Sequence, residues 1–118
     1  MVGSGDLFPH GAVRSGAFTT TGTDSAVIKA TFGESYHGYG TVAVWGTWNG
    51  HTVKIRAQMA TGGDTQLVPP NPATGNWVDI EGMSLTADGF LQPQIRATWF
   101  QIQKTAATGT PNLKWAMR

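Results

Sequence analysis

The stretch HTVKIRAQM, residues 51–59, alternates without a break. Val53, Ile55, Ala57 and Met59 fall on one side of an extended chain, and Thr52, Lys54, Arg56 and Gln58 on the other. That period of two predicts a β-strand with one dry face and one wet face, and it excludes an amphipathic helix. A second alternating run, TVAVW (41–45), precedes it, with GTWNG (46–50) between them. Asn49-Gly50 suits a two-residue turn in which both central residues take positive φ. The pattern therefore predicts a β-hairpin joining 41–47 to 51–59.

The same reading extends along the chain. SAVIKATF (25–32) places Ala26, Ile28, Ala30 and Phe32 on one face, and NWVDI (76–80) resumes strand character. In SLTADGFLQPQ (84–94), Asp88-Gly89 between short β-prone stretches predicts a second tight hairpin. IRATWFQIQ (95–103) is apolar on both faces, with Ile95, Ala97 and Trp99 on one and Phe100 and Ile102 on the other. A central strand covered on both sides reads this way, and so does one whose second face meets a partner. NLKWAMR (112–118) alternates Leu113, Trp115 and Met117 against Lys114, Ala116 and Arg118, so a strand lies near the end of the sequence. Seven or eight short strands with closely spaced turn signals predict an all-β fold, a compact antiparallel β-sandwich of jelly-roll type. Residues 1–16 hold four glycines, a proline and the apolar pair Leu7 and Phe8, which predicts an extended N-terminal arm ahead of a single domain over 17–118. ATGGDTQLVPPNPATGN (60–76) is too rich in Gly, Pro and Asn for a central strand and reads as a Pro-rich loop with room for a short edge strand at 65–68.

Composition narrows the function. Charged residues are only 13% of the chain, the net charge is +1, and the eight Lys and Arg residues are dispersed. Nothing in the sequence forms the basic footprint of a nucleic-acid binder. Without cysteine there is no disulfide, thiolate or Cys-based metal site. The opening MVGSGDLFPHG lacks the basic start and apolar stretch of a secretory signal, and no window approaches the length of a membrane-spanning helix.

Catalytic signatures are sparse. His10, His37 and His51 lack the i, i+2 or i, i+4 spacing of a metal pair. Asp79 and Glu81 share a strand face and so resemble a glycosidase pair, but exposed sheet faces carry such neighbours routinely. There is no G-x-S-x-G, and the Gly-rich pieces lack the lysine and helix of a phosphate loop. The sequence thus points away from an enzyme, from bound cofactors and from metal, and toward a contact surface. Trp45, Trp77 and Trp99 read as core residues, whereas Trp48 at the turn is hard to bury in a sandwich unless it folds back over the hairpin.

The run GTVAVWGTWNGHTVKIRAQ, followed by GG-D, NWVDIEG, LTADGF and IRATWFQI, resembles small virion proteins of tailed bacteriophages, namely head-decoration or cement-like β-sandwich proteins. A Pro-rich insertion at 60–76 separates GGDT from NWVDI, where that pattern has them closer. The resemblance implies a non-catalytic structural protein that binds the assembled capsid, through the major capsid protein or another virion protein, and stabilises the shell. It implies a homo-oligomer, with a trimer favoured, made in the bacterial host cytoplasm and carried on the virion surface. On this reading the interface residues are Leu7, Phe8, Trp48, Asn49, Leu67, Val68, Pro69 and Pro70. The rival reading is a carbohydrate-binding or tail-fibre module that stacks sugars on Tyr36, Tyr39 and Trp48.

Overall fold

A computed structural model of the chain describes residues 14–29, 40–58, 70–95, 97 and 99–117. Eight strands make up these residues: β1 (Arg14–Phe18), β2 (Asp24–Lys29), β3 (Val42–Thr47), β4 (Val53–Gln58), β5 (Trp77–Leu85), β6 (Gly89–Leu91), β7 (Trp99–Lys104) and β8 (Asn112–Met117). They form two four-stranded antiparallel sheets, ordered β1-β8-β3-β6 and β2-β7-β4-β5. Read by strand, every connection but one passes from one sheet to the other, and only β4 to β5 stays within a sheet. The β-sandwich is as expected from the sequence, and its strand order, which the sequence left open, is that of a jelly roll.

The predicted strand faces hold. Val53, Ile55 and Ala57 on β4 meet Phe100 and Ile102 on β7, Val42 and Val44 on β3, and Leu113, Trp115 and Met117 on β8 in one core between the sheets. Phe18 of β1 joins it by stacking on Trp115, with ring centroids 6.5 Å apart. Trp115 fits because its neighbour across the β1–β8 ladder is Gly16. A Cβ on Gly16 would stand 2.8–2.9 Å from Nε1, Cε2 and Cζ2 of the indole. Strand β7, central in its sheet, is buried on both faces, as the double apolar pattern predicts.

The structure corrects the sequence reading in three places. First, the 46–50 segment is a turn but not a hairpin. Asn49 and Gly50 do take positive φ, 47° and 87°, and His51 N–H donates to Trp48 O at 3.0 Å. Yet β3 lies in one sheet and β4 in the other. The backbone groups a hairpin would pair across the turn have other partners. Gly46 N–H donates to Asp88 Oδ1 at 3.0 Å. Thr52 O accepts from Thr105 N–H at 2.9 Å, and Thr52 N–H donates to Thr105 Oγ1 at 3.3 Å. Second, Asp88-Gly89 is likewise a corner between sheets, because β6 pairs with β3 while β5 pairs with β4. Third, β1 begins at Arg14, so three residues expected in the arm belong to the sandwich. The expected edge strand at 65–68 lies outside the described residues.

Candidate interaction surface

The strand directions sort the connections onto two ends of the sandwich. Residues 19–23, 48–52, 86–88 and 105–111 join strands at one end, here the corner end. The longer connections 30–41, 59–76 and 92–98 depart from the other, the long-loop end.

The corner end is tied together by polar side chains. His51 is buried with both ring nitrogens facing carbonyl oxygens, Nδ1 at 2.8 Å from Thr105 O and Nε2 at 2.6 Å from Gly109 O. Beside it, the Lys104 ammonium is closed off from solvent. It donates to Thr20 O at 2.7 Å and to Gly22 O, and it lies 3.3 Å from His51 Nδ1. Burial pushes the Lys104 ammonium below its ordinary pKa, and the negative charge of Asp24 pulls it part of the way back. A buried cation in a ring of backbone carbonyls binds the 19–23 and 105–111 corners to β7, and His51 adds the 48–52 corner. Asn49 completes the junction by donating from Nδ2 to Thr110 O at 2.6 Å.

Trp48 is part of this junction. Its ring is half-buried against the core, and its Nε1–H donates to Asp88 Oδ1 at 2.8 Å, the oxygen that also accepts from Gly46. The folded chain therefore partly covers the ring that the turn position suggested would stand free. Asn49 is exposed, and Pro70 is buried within the chain. Leu7, Phe8, Leu67, Val68 and Pro69 lie outside the described residues, as do Tyr36 and Tyr39 of the sugar-stacking reading.

The outward face of the β2-β7-β4-β5 sheet carries a second polar network. Residues 70–76 strap across it: Gln101 Nε2–H donates to Pro72 O at 2.7 Å, and Trp77 Nε1–H to Asn71 O at 2.9 Å. Arg56 lies beneath, donating to Gln101 Oε1 at 3.2 Å and to Trp77 O at 3.0 Å, with Nε 3.0 Å from Asp79 Oδ1. Lys54 reaches the other Asp79 oxygen at 3.1 Å. Asp79 is thus engaged by two cations on its own sheet, while Glu81 is exposed in an irregular part of β5. There, opposite Ile55 alone, β5 carries Ile80, Glu81, Gly82 and Met83, and Gly82 takes φ +77°. Trp77 and Trp99 are buried as expected, but on this outward face and not between the sheets. Among the described residues, no group of three or more His, Asp or Glu side chains converges in a way that could hold a metal ion.

What the sequence reading missed is the position of the exposed apolar side chains. Among the described residues the exposed large hydrophobics are Phe90 at 65%, Val78 at 46% and Ile95 at 41%. Two of them lie on edge strands, though not on one face, since Phe90 is opposite outward-facing Ala43 and Val78 opposite core-facing Ala57. Phe90 is on β6, opposite Ala43 on the outward face, and β6 is the edge of its sheet. Val78 is on β5, the edge of the other sheet, paired with Ala57 toward the long-loop end. Ile95 follows β6 in the connection leaving that same end. The adjacent pair Phe90-Leu91 held the signal, since neighbours on a strand point to opposite faces and only Leu91 enters the core.

No family model matches this chain, and neither a curated protein nor a solved structure matches it.

Proposed function

We propose that the chain is a non-catalytic structural protein of a tailed-phage virion, which binds the assembled capsid as a homo-oligomer and stabilises the shell by protein–protein contacts. The observation that carries this reading is that large apolar side chains are left exposed, among them Phe90 and Val78 on the edge strands β6 and β5. Exposed apolar side chains gain by burial against a partner, and aromatic residues are enriched at interface centres. The buried or ion-paired titratable groups support it from the other side. His51, Lys104 and Arg56 are bound to backbone or amide oxygens of the fold. The jelly-roll order is compatible with the resemblance noted in the sequence, although a fold by itself does not assign a task.

Co-sedimentation with assembled heads of the phage whose genome encodes the chain tests the proposal. Saturable binding, together with greater resistance of the heads to heat, is the expected result. Failure to co-sediment at micromolar concentrations, or a coding sequence outside any phage genome, would overturn it.

A further inference from the structure

We infer that His51 and Lys104 form an acid-released clasp, in which a second proton on the pair drives the Lys104 ammonium off the Thr20 and Gly22 carbonyls and frees the 19–23 corner, while His51 keeps its hold on the 105–111 corner. The clasp stands independently of the capsid reading.

His51 is surrounded by acceptors. Nδ1 lies 2.8 Å from Thr105 O and Nε2 2.6 Å from Gly109 O, and a carbonyl oxygen can only accept. A neutral imidazole has one N–H and can serve one of the two, whereas an imidazolium serves both. The residue is buried, so bulk water does not supply the missing donor. The carbonyls therefore suit a doubly protonated ring.

Lys104 forbids that state. Its side chain is wholly buried, and Nζ lies 3.3 Å from His51 Nδ1. The ammonium has three donors, and they are directed at Thr20 O, Gly22 O and Nδ1, with Thr105 O farther off at 3.5 Å. Only a neutral ring offers a lone pair at Nδ1. With Lys104 charged, His51 thus keeps one proton on Nε2, donates to Gly109 O, and turns a lone pair toward both Thr105 O and the ammonium. A second proton would place two cations side by side where solvent screens them little.

The charges nearby do not offset a second cation. Asp24, the register partner of Lys104 on β2, attracts the ammonium and already accepts from Ser25 N–H at 2.9 Å. Asp88 on the 86–88 corner has its Oδ1 taken by Gly46 and Trp48. Lys54 on β4 is turned outward to Asp79, and Lys114 on β8 stands exposed opposite Trp45.

Of the two cations, Lys104 is the one that can leave. The protonated ring would gain both carbonyls, and the His51 backbone is held by its N–H to Trp48 O. Lys104 would lose its acceptor at Nδ1, and its flexible four-carbon stem can withdraw. The carbonyls it abandons belong to 19–23, which joins β1 and β2, the edge strands of the two sheets. The same corner is tied to 105–111 by Ala107 N–H, which donates to Thr21 O at 3.1 Å. Acid therefore loosens the link between two edge strands and leaves the 48–52 and 105–111 corners joined.

Amide hydrogen exchange of the full chain at pH 8 and pH 5, expressed as protection factors, tests this. The Ala107 amide should lose protection by about tenfold or more at pH 5. The Thr105 amide, which donates to Thr52 O, and the β4–β7 ladder should keep theirs. Unchanged protection at Ala107 would overturn the clasp, and so would equal loss in the ladder, which reports general acid unfolding. Nitrogen-15 spectra of the imidazole in the same unsubstituted chain follow the proton itself. His51 should be the neutral Nε2–H tautomer at pH 8 and imidazolium at pH 5; an imidazolium at pH 8, or a neutral ring at pH 5, would refute the inference. His51→Gln leaves Lys104 on its carbonyls without a titrating neighbour, so Ala107 protection should be the same at both pH values. An undiminished acid loss in that variant would assign the opening to another group.

Discussion

Replacing Gly46 with alanine tests the central packing claim, that β3 and β8 approach more closely at the corner than any side chain permits. Gly46 has φ +130°, a conformation L residues rarely adopt, and holding an alanine there costs of order 1–3 kcal/mol. Its Cβ would also overlap the Asn112 carbonyl oxygen, with the Asn112 carbonyl carbon and Leu113 Cα at 3.2 Å. These are backbone atoms of a paired strand, so relief requires parting Gly46 and Thr47 from Leu113 and Asn112. Losing one or two ladder bonds adds about 0.5–1.5 kcal/mol each. The sum is about 2–6 kcal/mol, a large share of the roughly 5–15 kcal/mol that holds a domain together. Two other glycines serve as controls. Gly82 has φ +77° but nothing within 4 Å of a built Cβ, so Gly82→Ala carries the backbone cost alone, about 1–2 kcal/mol. Gly22 has open space and no positive φ, so Gly22→Ala should be near neutral or slightly stabilising, by up to about 1 kcal/mol. Urea unfolding followed by tryptophan fluorescence gives the three midpoints on one scale. The expected order of loss is Gly46→Ala, then Gly82→Ala, then Gly22→Ala, with the first midpoint lower by about 1 M or more. Equal midpoints for Gly46→Ala and Gly82→Ala would refute the reasoning, because the β8 backbone would then add nothing to the φ cost.

Other parts of the molecule give independent tests. The folded Lys104 ammonium titrates below the ordinary 10.5 of a lysine, so the unfolded chain binds more protons between the two values. Stability should therefore rise with pH through that interval and level off above 10.5, and the slope should vanish in Lys104→Met, as read from urea midpoints at pH 8 to 11. Gly16→Ala should displace the Trp115 indole and cost about 1–3 kcal/mol, with a changed near-ultraviolet circular dichroism band; an unaltered band would mean the ring lies elsewhere. His51→Phe strips the carbonyls of Thr105 and Gly109 of the ring bridging them, and a loss of about 1–3 kcal/mol in urea unfolding is expected, with faster amide exchange at the corner end.

The sequence by itself determined most of the strands and the dry side of each, although β1 was not among them. Alternation over 51–59 reports the face directly, because successive side chains on an extended chain point in opposite directions. The doubly apolar 95–103 run reported a central strand for the same reason, and β7 is central, although it begins only at Trp99. The Asn49-Gly50 dipeptide determined a reversal with two positive φ values, since that conformation is a local property of those residues. Which strands pair was decided only by the tertiary structure. A tight turn reverses the chain equally well between neighbours in one sheet and between facing sheets, so turn chemistry cannot choose. The choice was made by distant groups: Asp88 takes the Gly46 amide, Thr105 takes the Thr52 backbone, and Lys104 gathers carbonyls more than eighty positions away in sequence. The same distance explains Trp48, whose exposure was argued from its place in a turn and whose cover comes from the core and Asp88. It also explains why the apolar edge was missed. Phe90 and Val78 look like any strand residues in sequence, and they are exposed because, among the described residues, β6 and β5 are the edge strands of their sheets.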